Sequence, residues 1–253
     1  MFNNWYRKER PIQGMMGMGG GATGYLVRGV VGGIRTNDAD PFGDNSCMYT
    51  YQLNGNSEKL GGGTALSGDT GQISVNAAKF GSHGWNGTGS SRLHSNDTFL
   101  RPSAAYSINF WYRSSTTGQD NDRILTIKGS QVTMGWNNWN NRFGFYTGVG
   151  SETTNVSRRR EIPDANVNDG NWHQITGTVD TSGNNKLYLD GSEWTNTSVN
   201  NADSRSFNQN HYFCLTTYDG GTGYNATCNI DQIRVFNKVL TADEVALLNT
   251  ETD

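Results

Sequence analysis

The sequence predicts an all-β fold: a sandwich of two antiparallel sheets with an extended N-terminal arm and one short C-terminal helix. Three observations predict it. From Ser46 onward, short runs of alternating character are separated by turns rich in Gly, Asn, Asp and Ser. Only the stretch from Leu240 to Glu251 has a helical pattern. Heptads and longer internal repeats, which would signal a shaft or a solenoid, are absent from the sequence.

Residues 1–36 differ in composition from the rest and form the arm, with the sandwich assigned to 37–253. An aromatic and charged start (Phe2, Trp5, Tyr6, Arg7) leads into a Gly/Met run containing Met15, Met16 and Met18. Two readings are open. Gly-rich chain loses much entropy on ordering, which favours a loose tail. Methionines adapt to irregular apolar surfaces and bare Gly backbone can lie close to a partner, which favours a docking arm.

The strand candidates are 47–53, 72–80, 106–113, 122–128, 131–136, 142–147, 172–179, 185–190, 210–217 and 226–236. In 172–179, Ile175, Gly177 and Val179 alternate with polar residues. Leu187 and Leu189 share one face of 185–190, which ends in an Asp190-Gly191 turn. The run from Ile230 to Val235 divides its faces less cleanly. Phe110, Trp172 and Leu187 are expected in the core. Thr241 and Glu244 have the spacing of a capping box, and Leu240 with Val245 that of a hydrophobic staple.

A chain of 253 residues, 34% apolar before its 33 Gly are counted, can build one large β domain, and seven Trp and ten Phe can fill it. A net charge of −3 leaves no electrostatic footprint for nucleic acid. No apolar run approaches the roughly 18 residues of a membrane span. The charged residues 7–10 precede Gly and Met instead of an apolar core, so Sec-type export is not expected. Cys47, Cys214 and Cys228 lack metal-site spacing. Cys214 and Cys228 flank a Gly-rich turn and could face each other across a hairpin, as free thiols in a reducing compartment or as a disulfide.

The aromatic and amide residues suggest a binding surface. Trp139 with Asn138 and Asn140, in Gly135-Trp136-Asn137-Asn138-Trp139-Asn140, can stack on a pyranose while the amides serve its hydroxyls. Trp85, in Gly84-Trp85-Asn86-Gly87, is a second candidate. Packing in the core or over a turn is the alternative for each Trp. The run Arg158-Arg159-Arg160 reads as a loop, either solvated or facing an acidic partner; Glu161 and Asp164 flank a Pro in the same loop-like stretch. His83, His94, His173 and His211 are scattered, and none has a nucleophile at readable spacing.

Seven segments occur in an order that carries a resemblance. Asp40-Pro41-Phe42-Gly43-Asp44 and Tyr51-Gln52-Leu53-Asn54-Gly55-Asn56 come first. Lys79-Phe80-Gly81 and Ser107-Ile108-Asn109-Phe110-Trp111-Tyr112 follow. Asp169-Gly170-Asn171-Trp172-His173, Lys186-Leu187-Tyr188-Leu189-Asp190-Gly191 and finally Asn229 to Phe236 complete the series. Together they resemble the laminin-G-like branch of the concanavalin-A-like lectin/glucanase sandwiches, which implies a jelly roll. The opening segments behind a Gly/Met start look most like virion proteins of marine tailed phages.

That resemblance implies a virion surface protein assembled in the host cytoplasm, in many copies or as a homo-oligomer. Its partners would be capsid or tail proteins, through the arm, and cell-surface glycans; neither nucleic acid nor membrane insertion is implied. A structural Ca²⁺ is implied at Asn54, Asn56 and Asp231, although several relatives have Asp where this sequence has Asn. His173 belongs to the family's Trp-His element and reads as structural. Glycan-cleaving relatives carry a Glu-x-Asp-x-Glu strand, and this sequence has none. The expectation is a non-enzymatic decoration or short appendage, with a receptor-binding tail lectin as the alternative. A glycan hydrolase or a secreted adhesion domain fits less well.

Overall fold

The structure, a computed structural model, describes residues 39–54, 59–61, 65–95, 105–116, 122–127, 132–136, 142–151, 154–195, 198–200, 213–216 and 226–253. Those residues form two antiparallel sheets packed face to face. The first runs β14 (Ser192–Glu193), β13 (Asn185–Leu189), β12 (His173–Val179), β7 (Tyr106–Arg113), β17 (Thr227–Phe236), β1 (Cys47–Tyr51), β2 (Lys59–Gly61). On the same sheet β5 (Gly84–Thr88) also pairs with β17, and β4 (Ile73–Ser74) pairs with β5. The second runs β15 (Ser198–Asn200), β11 (Thr154–Pro163), β10 (Arg142–Ser151), β9 (Val132–Trp136), β8 (Arg123–Ile127), β16 (Phe213–Leu215), β6 (Leu93–Ser95), β3 (Ser67–Gly68).

Strand alternation builds the core between them. Tyr106, Ile108, Phe110 and Tyr112 of β7 point inward with Ile175 and Val179 of β12 and Leu187 of β13. From the second sheet come Ile124, Leu125, Met134, Phe143, Phe145 and Ile162. Gly177 shows how closely the sheets meet: a Cβ there would lie 2.6 Å from both Met134 Cε and Phe145 Cζ. The expected core positions of Phe110 and Leu187 are occupied as predicted. Trp172 is not: it is only half-buried, beneath the Arg113 guanidinium, whose Cζ is 4.8 Å from the ring centroid. It precedes β12 with the parity of Gln174 and Thr176, opposite Ile175, so alternation turns it to the outer face where Arg113 lies.

A bulge explains the unclear faces of β17. The register of its pairing with β7 shifts between Asp231 and Arg234, and Gln232 has φ 47°. Thr227–Ile230 pairs with β5, whereas Ile233–Phe236 pairs with β1. Ile230, Ile233 and Val235 join the core, while Asp231, Gln232 and Arg234 turn to the outer face. That face is covered too. Helix α1 (Ala242–Leu248) lays Val245 and Leu248 with Leu240 onto Phe236 and Tyr188, and Phe42 closes the edge of this second cluster. Both halves of the expected capping box form, Thr241 being the cap.

Three other expectations change. Of 72–80, only Ile73–Ser74 is strand; a 3₁₀ turn, Val75–Ala77, follows. The Arg158–Arg160 stretch is not a loop but the middle of β11, between β10 and β15. There Arg160 Nε donates to the Asn185 carbonyl at 3.0 Å, joining the two sheets at one end. Three consecutive arginines mask the period-2 signal that would reveal a strand. Finally, Cys214 and Cys228 are buried thiols outside any disulfide and lie on different sheets, in β16 and β17, so no hairpin joins them. Burial pushes the Cys228 thiol well up.

Candidate functional site

Trp85 is excluded as a sugar platform. It lies within β5, paired with Ile73 and Ile230, and is 0% exposed. The sequence signal misled because Gly84 and Gly87 suggest a turn. Instead their missing side chains admit neighbouring backbone: a Cβ on Gly84 would lie 2.1 Å from the Ala77 carbonyl oxygen. Trp139, Asn138 and Asn140 lie outside the described residues, as do Asn56 and the arm residues Phe2, Trp5, Tyr6, Arg7, Met15, Met16 and Met18.

Asn54 and Asp231 come together, as expected, but around a turn. Five successive backbone N–H groups from Lys79 to His83 point at side-chain oxygens. Lys79 and Phe80 donate to Asp231 Oδ2 at 2.8 and 3.0 Å, and Gly81 to Asp253 Oδ1 at 2.8 Å. Ser82 and His83 donate to Asn54 Oδ1 at 3.0 and 3.4 Å. Gln232 N–H takes Asp231 Oδ1 at 2.8 Å. A calcium shell needs about 6–8 oxygens free to face the ion. Here the oxygens face donors, and the described residues contain no metal-holding group of His, Cys, Asp or Glu. The arrangement fits an anchored turn and does not fit a calcium site. Burial outweighs the three donors and raises the Asp231 carboxyl to about 7.

His173 is likewise a tie. Its Nδ1 is 2.8 Å from Asp190 Oδ2 and its Nε2 is 3.1 Å from Asp169 Oδ1. The Asp190 hydrogen bond, chiefly, raises the imidazole above its ordinary value. Asp190 and Gly191 both have positive φ, the mark of a type I′ hairpin turn. The imidazole therefore clamps the turn before β12 to the β13–β14 hairpin.

A partly exposed surface is found elsewhere, at one end of the first sheet. Arg113, on the outer face of β7, donates through Nε and Nη2 to Asn229 Oδ1 at 3.2 and 2.9 Å. Nη2 also reaches the Asn76 carbonyl at 2.7 Å, and Asn229 Nδ2 donates to Asn86 Oδ1 at 3.1 Å. Nearby, Lys79 Nζ sits 4.5 Å over the Trp111 ring and 5.2 Å over Phe80, which meets Trp111 edge-on. Sequence reasoning passed over Arg113 and Lys79. Alternation along β7 puts Arg113 on the same side as Trp111, opposite Phe110 and Tyr112, and this was the available signal.

A family model described as the concanavalin A-like lectin/glucanases superfamily matches residues 86–246, more than half the chain. The chain belongs to this superfamily. It is a lectin-like sandwich domain, and solved structures of that kind resemble it. The binding domain of a paraclostridial mosquitocidal protein superposes with TM-score 0.58 at 14% identity, covering 81% of this chain and 52% of the other. The binding domain of botulinum neurotoxin serotype D gives 0.57 at 14%, covering 81% and 51%. A botulinum neurotoxin type C structure, a toxin described as depending on two ganglioside molecules to enter cells, gives 0.57 at 16%, covering 81% and 50%. This superfamily member thus spans about half the length of those chains, and at such identity the likeness is one of fold. No curated protein matches it in sequence.

Proposed function

We propose that the chain is a non-enzymatic virion structural protein whose lectin-like sandwich is displayed outward and binds surface glycans. The observation that carries the non-enzymatic part is the employment of its carboxylates. Asp231 and Glu251 are buried and serve the turn and the guanidinium beneath them, and Asp169 and Asp190 hold His173. Asp180 accepts from the backbone of its own turn. The sequence also lacks the Glu-x-Asp-x-Glu strand of the glycan-cleaving relatives. Glycan binding draws support from the superfamily and from the ganglioside dependence of the botulinum type C relative in fold.

The virion setting rests on the sequence resemblance and on the Gly/Met composition of residues 1–36, which suits docking to a capsid or tail protein. Deleting residues 1–30 tests it: the shortened chain folds and stays soluble but no longer joins particles. Incorporation at normal occupancy would refute docking through the arm. A receptor-binding tail lectin is the second reading, and Trp139→Ala addresses it. Weaker binding to host polysaccharide at an unchanged melting temperature supports it; a large loss of stability assigns Trp139 to packing.

A further inference from the structure

We infer that the outer-face surface carrying Arg113 and Lys79 binds acidic polysaccharide, through the sugar's carboxylate or sulfate groups. This rests on the glycan-binding reading above and specifies its ligand class. The first ground is orientation. Arg113 is locked by three hydrogen bonds along its Nε–Nη2 edge and by the Trp172 ring. Its Nη1 is left without a protein partner among the described residues. A guanidinium fixed through Nε and Nη2 leaves the Nη1 N–H groups as charged donors for an oxyanion.

The second ground is charge. Neither Arg113 nor Lys79 forms an ion pair among the described residues. The neighbouring carboxylates are engaged elsewhere: Asp231 is buried against the 79–83 backbone, and Asp253 accepts from Gly81. Side chains beside Arg113 are neutral amides, Asn229 and Asn86, suited to sugar hydroxyls.

The third is spacing. Lys79 lies over Trp111 and Arg113 stands two residues further along the same face of β7, so the strand positions beneath the two cations are about 7 Å apart. A linear acidic polymer can present successive anionic groups across that distance. Both cations rest on aromatic rings, which fixes their positions before any ligand arrives.

The test uses the full chain in titration calorimetry with three probes: oligogalacturonate, dextran sulfate and uncharged dextran. Binding of oligogalacturonate or dextran sulfate, weakened by salt, with none of dextran, is expected; the two acidic probes separate carboxylate from sulfate recognition. Arg113→Gln weakens the acidic probe by about ten-fold or more, the cost of one charged hydrogen bond. Lys79→Met keeps the apolar stem over the rings and weakens it less. Lys186→Gln, which removes the same charge on distant β13, changes nothing. Should Arg113→Gln fail to fold, Lys79→Met decides. Wild-type affinity in both variants overturns the proposal. Binding of dextran alone overturns it while sparing the glycan reading; binding of none of the three overturns it and leaves that reading to a broader glycan panel.

Discussion

The two faces of the first sheet obey different rules. Its inner face is apolar and meets the second sheet with Phe110, Ile175, Leu187 and Val235. Its outer face is equally inaccessible at the centre of the sheet, yet is largely polar: Thr50, Ser107, Asn109, Gln174, Thr176 and Arg234 are all buried there. Partners make this possible for most of them, whereas the Gln174 side-chain amide and Asn109 Oδ1 find none among the described residues. Ser107 Oγ donates to the Lys238 carbonyl at 2.7 Å and accepts from Leu240 N–H at 2.9 Å. Asn109 Nδ2 donates to Thr176 Oγ1 at 2.7 Å. Arg234 donates to both Glu251 oxygens, at 2.9 and 2.5 Å, and Gln232 adds a third bond to Glu251 at 3.0 Å. One face is held by volume and the other by donor–acceptor matching, so they should fail differently.

The largest effects come from cutting each face at its centre. Glu251→Ala leaves the Arg234 guanidinium buried and unpaired by its carboxylate, and should destabilise the chain by about 3–5 kcal/mol in urea unfolding. Replacing the pair together, Arg234→Met with Glu251→Leu, should recover most of that loss, because burying an ion pair has its own desolvation cost. A loss under about 1 kcal/mol for Glu251→Ala would show that the outer layer only covers the sheet. Phe110→Ala is the counterpart on the inner face, with an expected cost of about 3–5 kcal/mol that no polar partner could restore.

A smaller effect is expected from adding volume. Gly177→Ala pushes a methyl into Met134 and Phe145, and about 1–3 kcal/mol should be lost. The neighbouring outer-face change Thr178→Ser adds no volume there and should be tolerated better by the same measurement.

Smallest of all is the pH response of the His173 clamp. Its folded pKa lies above the ordinary 6.5, so the stabilisation is complete below that value and fades as pH rises through the raised one. Asp169 and Asp190 are 40% and 44% exposed, which holds the effect to about 1 kcal/mol or less. His173→Gln should flatten the stability–pH profile above the ordinary histidine value; an unchanged slope would remove the clamp from the account.

How much was legible follows from these two faces. The inner faces of β7, β12 and β13 could be read because alternation is local: each side chain's direction follows from its neighbour's. The Thr241–Glu244 cap was readable for the same reason, both partners lying within one turn. The outer face was not, since Arg234 finds Glu251 through a bulge and the return of the chain after α1. Trp85 was misread because glycines that admit a crossing backbone look, in sequence, like glycines that make a turn. Arg113 and Lys79 were overlooked because 34 residues separate them, and only β7 and the anchored turn bring them together.

The sequence by itself determined the all-β class, the family, the inward-facing residues and the terminal helix with its cap, all of which depend on short-range periodicity or on order along the chain. Only the tertiary structure decided that the first sheet is covered on both faces, that Asp231 and Asn54 hold a turn, that Cys214 and Cys228 lie on different sheets, and that two ring-seated cations share one surface. Those outcomes depend on which distant segments supply donors, acceptors and volume, and strand pairing across the sandwich sets that choice.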